Sequence, residues 1–299
     1  MKIRIIAVLI IGMLFFPVFG KSPIKTLLIT GQNNHNWRVS HIALKQILEN
    51  SGDFIVDLAV SPSQGESMEK FILDFSKYSL VVLDYNGDSW SKKTNEGFLD
   101  FVKNGGGVVV YHAADNAFSG WKEYNEICAL GGWEGRNENS GPWVYWKDNS
   151  LYKDYSKGNG GSHGQQHEYV LNGRNKKHPI MKNLPEHWIH GKDELYDRMR
   201  GPGNIKDILY TAYSDPEKGG SGREEPLIFT VEYGKGKIFH TMLGHAGDQL
   251  ENNPAMQCAG FQITLLRGAE WAATGKIKDK KLTKDFPTDK KTSFRTIYK

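Results

Sequence analysis

The chain has 299 residues, of which 39% are hydrophobic, 24% charged and 12% aromatic. These proportions are typical of a folded globular protein and exclude a disordered or fibrous chain. The formal net charge is only +4, and no long run of like charges occurs before the carboxyl-terminal tail, which argues against nucleic acid as a partner.

The first twenty residues are predicted to be a secretory signal peptide. Lys2 and Arg4 precede an apolar run at residues 5–19, and Gly20 follows as a small residue at the expected cleavage position. The alternative is an uncleaved anchor, but the run is shorter than the ~20 apolar residues of a membrane span. We expect a secreted protein, periplasmic if the source is Gram-negative, without stable membrane insertion after cleavage.

Strands and helices alternate in the first half of the mature chain. Apolar or alternating runs predict strands at residues 25–30, 54–60, 80–83 and 108–111. Helical spacing of apolar residues predicts helices at 39–50, 68–75 and 94–103. Apolar strands separated by amphipathic helices indicate an α/β fold with a mostly parallel central sheet, covered on both faces. Ligands bind beyond the carboxyl ends of such strands, which draws attention to the loops at 31–38, 84–90 and 112–119.

The second half opens with a long segment at residues 131–164 that is rich in glycine and aromatic residues. It shows neither helical nor strand periodicity and is predicted to be a functional loop. Its tryptophans, Trp143 and Trp146 among them, form either a stacking platform for sugar rings or a local core. Strands are predicted at 168–171, 207–213, 227–233 and 237–242, the last two as a hairpin, before a closing helix at 255–274. One domain then spans residues 21–276, and residues 277–299 form a loose polar tail.

Several common chemistries are excluded or weakened. The turn after the strand at 108–111 carries His112, where a hydrolase of this architecture would carry Ser or Cys. Neither GxGxxG after the first strand nor GxxxxGK[ST] occurs, so no nucleotide cofactor is expected. Cys128 and Cys258 are the only cysteines. They form either a disulfide, which an oxidising compartment permits, or two buried apolar side chains.

The ten histidines carry the positive signal. Five of them lie near the ends of predicted strands, where a site is expected: His35, His112, His163, His167 and His245. The motif GKDELY at 191–196 adds two carboxylates and a phenol. Imidazole and carboxylate together can hold a transition metal, or act in acid–base chemistry or sugar binding without one. For any single histidine, a hydrogen-bonded structural anchor is the alternative.

Taken in order, the motifs of the chain resemble those of the ThuA-like (trehalose utilisation) family. The matching pieces cover about residues 25–276 and are LLITGQNNHNW (27–37), GGGVVVYHAAD (105–115), GGSHGQQHEY (160–169), HPIMKNLPEHWIHGKDELY (178–196), TAYSD (211–215), EEPLIFTVEYGKGKIFHTMLGH (224–245) and FQITLLRGAEWAATGK (261–276).

The resemblance implies a flavodoxin-like three-layer sandwich of the class I glutamine amidotransferase-like superfamily. It also implies that the amidotransferase cysteine is missing, in agreement with His112, so the protein is not a glutamine amidotransferase. The family is associated with carbohydrate use, notably of disaccharides oxidised to 3-keto sugars. The positions that match its polar residues are His35, Trp37, His112, His163, His167, His190, Asp193, Glu194, Tyr196 and His245.

We therefore expect a lyase, hydrolase or isomerase-type enzyme that abstracts a proton next to the keto group of a small carbohydrate. The expected catalytic residues are Glu194, His167, His112 and Asp193, with Glu194 or His167 as the base. A divalent metal such as zinc is expected on His112, His167 and His245. Substrate contacts are assigned to His35, Trp37, Asp115, His163, His190, Tyr196, Trp143 and Trp146. A non-catalytic carbohydrate-binding module of the same fold is the alternative.

Overall fold

The computed structural model describes residues 22–278 and 281–297. Its strands are β1 (Ile24–Thr30), β2 (Phe54–Val60), β3 (Leu80–Leu83), β4 (Gly107–Tyr111), β5 (Trp143–Lys147), β6 (Ser150–Asp154), β7 (Ser162–His163), β8 (His167–Gly173), β9 (His187–Asp193), β10 (Tyr196–Asp197), β11 (Asp207–Tyr213), β12 (Glu224–Tyr233) and β13 (Gly236–Thr241). Its α-helices are α1 (Trp37–Asn50), α2 (Lys92–Lys103), α3 (Lys122–Cys128), α4 (Pro254–Gln257) and α5 (Ala259–Thr274).

An 11-stranded mixed sheet organises the fold, with the order β2-β1-β3-β4-β13-β12-β11-β8-β9 and the β5–β6 hairpin paired to β12. Strands β2, β1, β3, β4 and β13 run parallel to one another, whereas every pairing from β13 to β9 is antiparallel. The α/β class is confirmed, but the mostly parallel sheet was a wrong expectation. A tight turn such as the one between β12 and β13 forces antiparallel pairing, since a parallel crossover needs a dozen residues or more.

The elements predicted in the first half are confirmed with one exception, the helix at residues 68–75. Met68, Phe71 and Phe75 are buried at helical spacing, but the segment forms only isolated turns. The Thr94 hydroxyl binds the Phe71 carbonyl at 2.6 Å and receives the Leu73 N–H at 3.3 Å. These backbone groups are the ones a helix would use internally, so a tertiary contact replaces the helix.

Helix α5 is buried on nearly all sides, unlike an amphipathic surface helix. It contacts β3, β4 and β13 and also β9, although three strands separate β9 from β13 in the sheet order. The approach is close, because a Cβ at Gly268 would lie 2.3 Å from the Phe239 ring, and one at Gly260 would lie 2.3 Å from Trp188. The antiparallel half of the sheet therefore curls around α5 and brings the end of β9 back towards the end of β13.

The segment at 131–164 has more regular structure than expected. It forms the β5–β6 hairpin, in which Trp146 pairs with Leu151 and also with Glu224 of β12. Strands β9 and β10 were also not predicted. The closing helix is interrupted at Cys258, which separates α4 from α5.

The segment after residue 276 packs on the domain, in contrast to the predicted loose tail. Ile277, Phe286 and Ile297 are buried, and the Ala259 N–H donates to the Ser293 carbonyl at 2.8 Å. The two cysteines are both free and buried, as in the alternative without a disulfide. In the part of the chain that the structure describes, no helix is long and apolar enough to cross a membrane. The predicted signal peptide at 1–20 lies outside the described residues.

One buried carboxyl group outside the site makes the stability of the fold depend on pH. Burial raises the pKa of Glu225 from 4.5 to about 7, and the Ser221 hydroxyl donates to its Oε1 at 2.7 Å. Because the folded state keeps this proton while the unfolded state loses it, stability falls as pH rises from about 4.5 to 7.

We expect Glu225→Gln to remove this loss, which amounts to about 3 kcal/mol of unfolding free energy. In urea unfolding, the free energy of unfolding of the variant should increase relative to that of the wild type between pH 5 and pH 8. Glu232→Gln, an exposed change on the same strand, is the matched control and should leave the pH profile unchanged. Parallel profiles for the wild type and Glu225→Gln would contradict the assignment.

Candidate metal centre

Four polar side chains meet at one edge of the sheet. His35 follows β1, His112 follows β4, His245 follows β13 and Glu194 follows β9. Strands β1, β4 and β13 are parallel, and the alternating pairings from β13 to β9 point β9 the same way. All four carboxyl ends therefore face one edge, and one ligand atom from each side chain lies within 4.8 Å of the others. These four side chains, termed the His–Glu cluster, could hold a metal ion.

His112 is held in one orientation by its backbone and by its ring. Its φ is +44°, an uncommon value for a residue other than glycine. Its Nδ1 lies 2.7 Å from the Met242 carbonyl, which assigns the ring proton to Nδ1. Its Nε2 is thereby directed at Glu194, with Oε2 at 3.6 Å.

Glu194 is the centre of the cluster, with only 8% of its side chain exposed. Its Oε2 lies 3.2 Å from His245 Nδ1 and 3.9 Å from His35 Nε2. Neither this oxygen, nor His112 Nε2, nor His245 Nδ1 has a hydrogen-bond partner of good geometry within the described residues. Three converging polar atoms that are buried without hydrogen-bond partners lower the stability of the fold unless a ligand bonds to them. Two imidazole nitrogens and a carboxylate oxygen fit a divalent transition metal.

The charges of the cluster follow from burial and mutual attraction. Burial and the neighbouring imidazoles of His112 and His245 lower the pKa of His35 to about 3, so this ring is neutral. Burial alone would raise the pKa of Glu194, but His112 and His245 outweigh it and hold that pKa well below its usual range. Burial likewise opposes protonation of His112, but Glu194 and Asp193 outweigh it and raise the pKa of His112.

Asp193 supports the cluster from behind and is fully buried. Its Oδ1 accepts the N–H groups of Glu194 at 2.7 Å and His245 at 3.0 Å. Its Oδ2 accepts the Gly244 N–H at 2.7 Å and lies 2.7 Å from His190 Nε2. One carboxylate thus joins the end of β9 to the end of β13 and sets the backbone of two cluster residues.

Asp84 supports the His35 side of the cluster in a similar way. It is fully buried and accepts hydrogen bonds from Thr30 and Ser40 at 3.1 and 2.7 Å and from Asn33 at 3.2 Å. Asn33 Oδ1 in turn receives the His35 N–H at 2.9 Å. The loop after β1 is therefore fixed through a buried acid, whose pKa burial raises to about 7.

A cavity of about 180 Å³ opens beside the His–Glu cluster. Tyr196 stacks on the His112 ring at a centroid distance of 4.4 Å, and its hydroxyl lies 3.0 Å from His35 Nε2. The Trp133 ring meets Tyr196 edge-on at 4.8 Å. The lining residues are Asn34, His35, Asn86, Asn116, Trp133, Glu134, His163, Glu194 and Tyr196. Aromatic surface combined with amides and hydroxyls is suited to a polar ring such as a sugar.

Four of the expected site residues line the cavity beside the cluster: His35, His163, Glu194 and Tyr196. His112 and His245 join His35 and Glu194 in the cluster, but His167, the third expected metal ligand, does not. His167 Nδ1 lies 2.7 Å from the Gln165 carbonyl, and β8 pairs His167 with Asp193 at the strand end. The expected metal set is thus corrected by replacing His167 with His35 and Glu194.

Three expected contact residues are buried supports that do not line the cavity beside the cluster. Asp193, His190 and Asp115 are each 0% exposed. Asp115 Oδ2 lies 3.2 Å from His240 Nε2, so it anchors another buried imidazole. The expectation of direct catalysis or substrate contact by these residues is corrected accordingly.

The tryptophans of the hairpin form a local core with arginines, which was one of the two interpretations. The Arg200 and Arg223 guanidinium groups lie 3.9 and 5.0 Å from the Trp143 ring centroid, and Arg174 lies 5.0 Å from that of Trp146. Neither tryptophan lines the cavity beside the cluster. Trp37 lines a neighbouring cavity instead.

Sequence reasoning missed five residues of the cavity: Asn34, Asn86, Asn116, Trp133 and Glu134. Trp133 belongs to the aromatic segment, but its composition does not distinguish it from Trp143 or Trp146. The three asparagines lie in the loops at 31–38, 84–90 and 112–119 to which the strand order draws attention, but nothing in the sequence distinguishes them from the other polar residues of those loops.

The fold and the cluster define an α/β protein with a candidate metal centre at the carboxyl edge of a mixed sheet. A family model described as trehalose utilisation (ThuA) matches residues 25–272. The chain belongs to the ThuA family, and this membership implies a carbohydrate-related role.

Two solved structures agree with the fold. A ThuA-like protein from Parabacteroides merdae is 72% identical, with a TM-score of 0.92 over 93% of this chain and 99% of that chain. A ThuA-like protein from Bacteroides uniformis is 17% identical, with a TM-score of 0.53 over 86% of this chain and 95% of that chain. At that identity the second similarity shows the fold alone. A search of curated proteins found no match.

Asp193→Asn should lower the free energy of unfolding by about 3 kcal/mol, since it leaves His190 without its buried anion and turns an amide N–H₂ towards backbone donors. Urea unfolding measures the effect. Asp248→Asn, an exposed change in the loop after β13, is the matched control and should shift stability by less than about 0.5 kcal/mol. Equal effects of the two substitutions would show that Asp193 does not hold the cluster together.

Proposed function

We propose that the protein is an enzyme that abstracts a proton next to the keto group of a 3-keto glycoside. The observation that carries the proposal is the convergence of three buried, unpaired atoms, His112 Nε2, Glu194 Oε2 and His245 Nδ1, beside a polar and aromatic cavity. Family membership adds the carbohydrate-related role. The secreted, periplasmic location that residues 1–20 suggest stays a prediction.

The His–Glu cluster would hold a divalent metal through His35, His112, His245 and Glu194. When bound, such an ion acts as a Lewis acid that stabilises negative charge on a carbonyl oxygen. The neutral state of the His35 ring and the ionised state of Glu194 are the forms that ligands require. The Tyr196 hydroxyl stays protonated, because burial raises its pKa well above 10, and can donate to a substrate oxygen.

His163 is the side chain best placed to move a proton. Its Nδ1 lies 2.9 Å from the Gly164 carbonyl, which leaves the Nε2 lone pair free. This Nε2 lies 3.8 Å from Glu194 Oε1, and both residues line the cavity. The carboxylate would stabilise the imidazolium that forms when His163 accepts a proton. His163 therefore replaces His167 as the proposed base, since Glu194 is engaged within the cluster.

The reaction starts at the carbon next to the ketone. The base takes the proton of that C–H bond, and the bonding pair forms an enolate whose charge rests on the former ketone oxygen. The pair then moves to form a carbon–carbon double bond as the glycosidic carbon–oxygen bond breaks. The leaving oxygen takes a proton, so that the base is restored. Water added across the new double bond would complete a net hydrolysis.

The purified mature protein should contain about one divalent transition metal per chain, and zinc is the first to test. Elemental analysis after dialysis gives the stoichiometry. His112→Ala and His245→Ala should each abolish metal retention, whereas His41→Ala, a change on α1, should not. Retention by both cluster variants, or a wild type that takes up no metal from zinc, manganese or cobalt buffers, would remove the metal from the proposal.

The wild type should consume 3-keto-methyl-α-glucoside, with loss of substrate followed by chromatography. His163→Gln should lower kcat about 100-fold or more while binding persists, because it removes a general base. His167→Gln is the matched control and should retain near-wild-type turnover. Binding of the sugar without turnover by the wild type would favour the carbohydrate-binding alternative. Neither binding nor turnover would reject both.

A further inference from the structure

A second cavity continues from the one beside the His–Glu cluster. Its volume is about 480 Å³, within the ~300–1,000 Å³ typical of ligand sites. The two cavities share three lining residues, Asn34, Asn86 and Glu134. A ligand that fills the small cavity and extends past these three side chains therefore enters the larger one, termed the outer cavity.

The junction between the two cavities is rigid on one side. Asn34 and Asn86 bond reciprocally: the Asn34 N–H donates to Asn86 Oδ1 at 3.0 Å, and the Asn86 amide donates to Asn34 Oδ1. This pair ties the loop after β1 to the loop after β3. A ligand at the junction thus meets fixed amide groups, which lowers the ordering cost of binding.

The other side of the junction is a backbone segment held in an unusual conformation. Trp133, Glu134 and Gly135 have successive φ values of +49°, +45° and +73°. Left-handed residues other than glycine cost free energy and persist where surrounding structure imposes them, often at ligand sites. From this turn Trp133 lines the small cavity and Glu134 lines both cavities.

The lining of the outer cavity is polar with one aromatic side chain. Amides and hydroxyls come from Gln32, Asn33, Ser61, Ser63 and Gln64, Trp37 supplies the aromatic surface, and Arg38 places its guanidinium group 4.6 Å from the Trp37 ring centroid. The Gln32 amide is engaged within the protein, since it donates to the Pro62 carbonyl at 2.8 Å. Gln64 is exposed, and no hydrogen bond of its side chain occurs within the described residues. Such a surface matches a hydroxyl-rich ring, whose polar edge bonds to amides and whose apolar face lies on an indole.

A cavity of about 520 Å³, termed the competing cavity, also adjoins the small cavity. It shares Asn34 and His35 with the small cavity and includes His245, but no Trp, Tyr or Phe lines it. Gly247, Asp248 and Asn252 of the loop after β13 are also part of its lining. It lacks both the stacking surface and the shared three-residue junction, so it is the weaker candidate for a second sugar.

We infer that the outer cavity is a second sugar subsite, which takes the unit on the far side of the glycosidic bond from the ring beside the His–Glu cluster. This inference rests on the proposed function and names Gln64 and Trp37 as residues that select a two-ring substrate over a one-ring one.

Isothermal titration calorimetry tests the subsite in a His163→Gln parent, which should bind with little turnover, and in three variants made on that parent. The ligands are 3-keto-trehalose, with two rings, and 3-keto-methyl-α-glucoside, with one. Gln64→Ala should weaken two-ring binding about 3-fold or more and Trp37→Leu about 10-fold, through loss of a hydrogen bond and of stacking. Both should leave one-ring binding within about 2-fold. Asn252→Ala, an exposed amide of the competing cavity, is the matched control and should change neither affinity.

Each alternative outcome overturns the inference in a different way. If Asn252→Ala weakens two-ring binding while Gln64→Ala and Trp37→Leu do not, the second ring lies in the competing cavity. If the His163→Gln parent binds both ligands equally, the proposed function stands and the subsite is rejected. If the parent binds neither ligand, both fail. Circular dichroism of Trp37→Leu, which lies at the start of α1, separates loss of stacking from loss of folding.

Discussion

The buried carboxylate of Asp193 is the interaction on which the site depends. Strand β9 is separated from β13 by three strands, so only the curling of the sheet around α5 brings their ends together. Asp193 closes that approach by accepting the N–H groups of Glu194, Gly244 and His245, with His190 at its other side. A buried anion with several donors is bound strongly, and any displacement would leave charge unpaired in the interior.

Buried supporting groups also hold the polar atoms of the cluster in place, although those atoms lack hydrogen-bond partners of their own. Glu194 lies among four imidazoles, three of them in the cluster. His112 is fixed through its Nδ1 to a carbonyl, and a second buried acid, Asp84, fixes the loop of His35 through Asn33. The carboxylate oxygens of Asp193 and Asp84 are well bonded, whereas the cluster atoms that face one another are not. Such a contrast is the signature of a preorganised site, in which the scaffold bears the cost of holding groups that only a ligand completes.

The sequence predicted the strands correctly where apolar runs are short and local, and it predicted site residues correctly where these follow the strand ends. The strands β1 to β4 are short apolar runs, and parallel strands end at a common edge, so His35, His112 and His245 could be expected near one another. Prediction failed where a contact with a residue far away in the chain determines the local structure. Thr94 binds the backbone at 71–73 and prevents the helix at 68–75, and arginines cover Trp143 and Trp146. The sequence did not distinguish His167 from Glu194 as the candidate base. The register of β8 and β9 pairs His167 with Asp193 and leaves it outside the cluster that contains Glu194.

By itself, the sequence determined the α/β class, most of the strands, the family and the set of histidines from which the site is drawn. It could do so because hydrophobic periodicity and motif order are local properties of the chain. The tertiary structure alone decided which imidazoles face Glu194, that Asp193, His190 and Asp115 are buried supports, and that Trp133 lines the cavity. Those choices depend on the curl of the sheet around α5 and on left-handed backbone at His112 and Trp133, which bring together residues far apart in the chain.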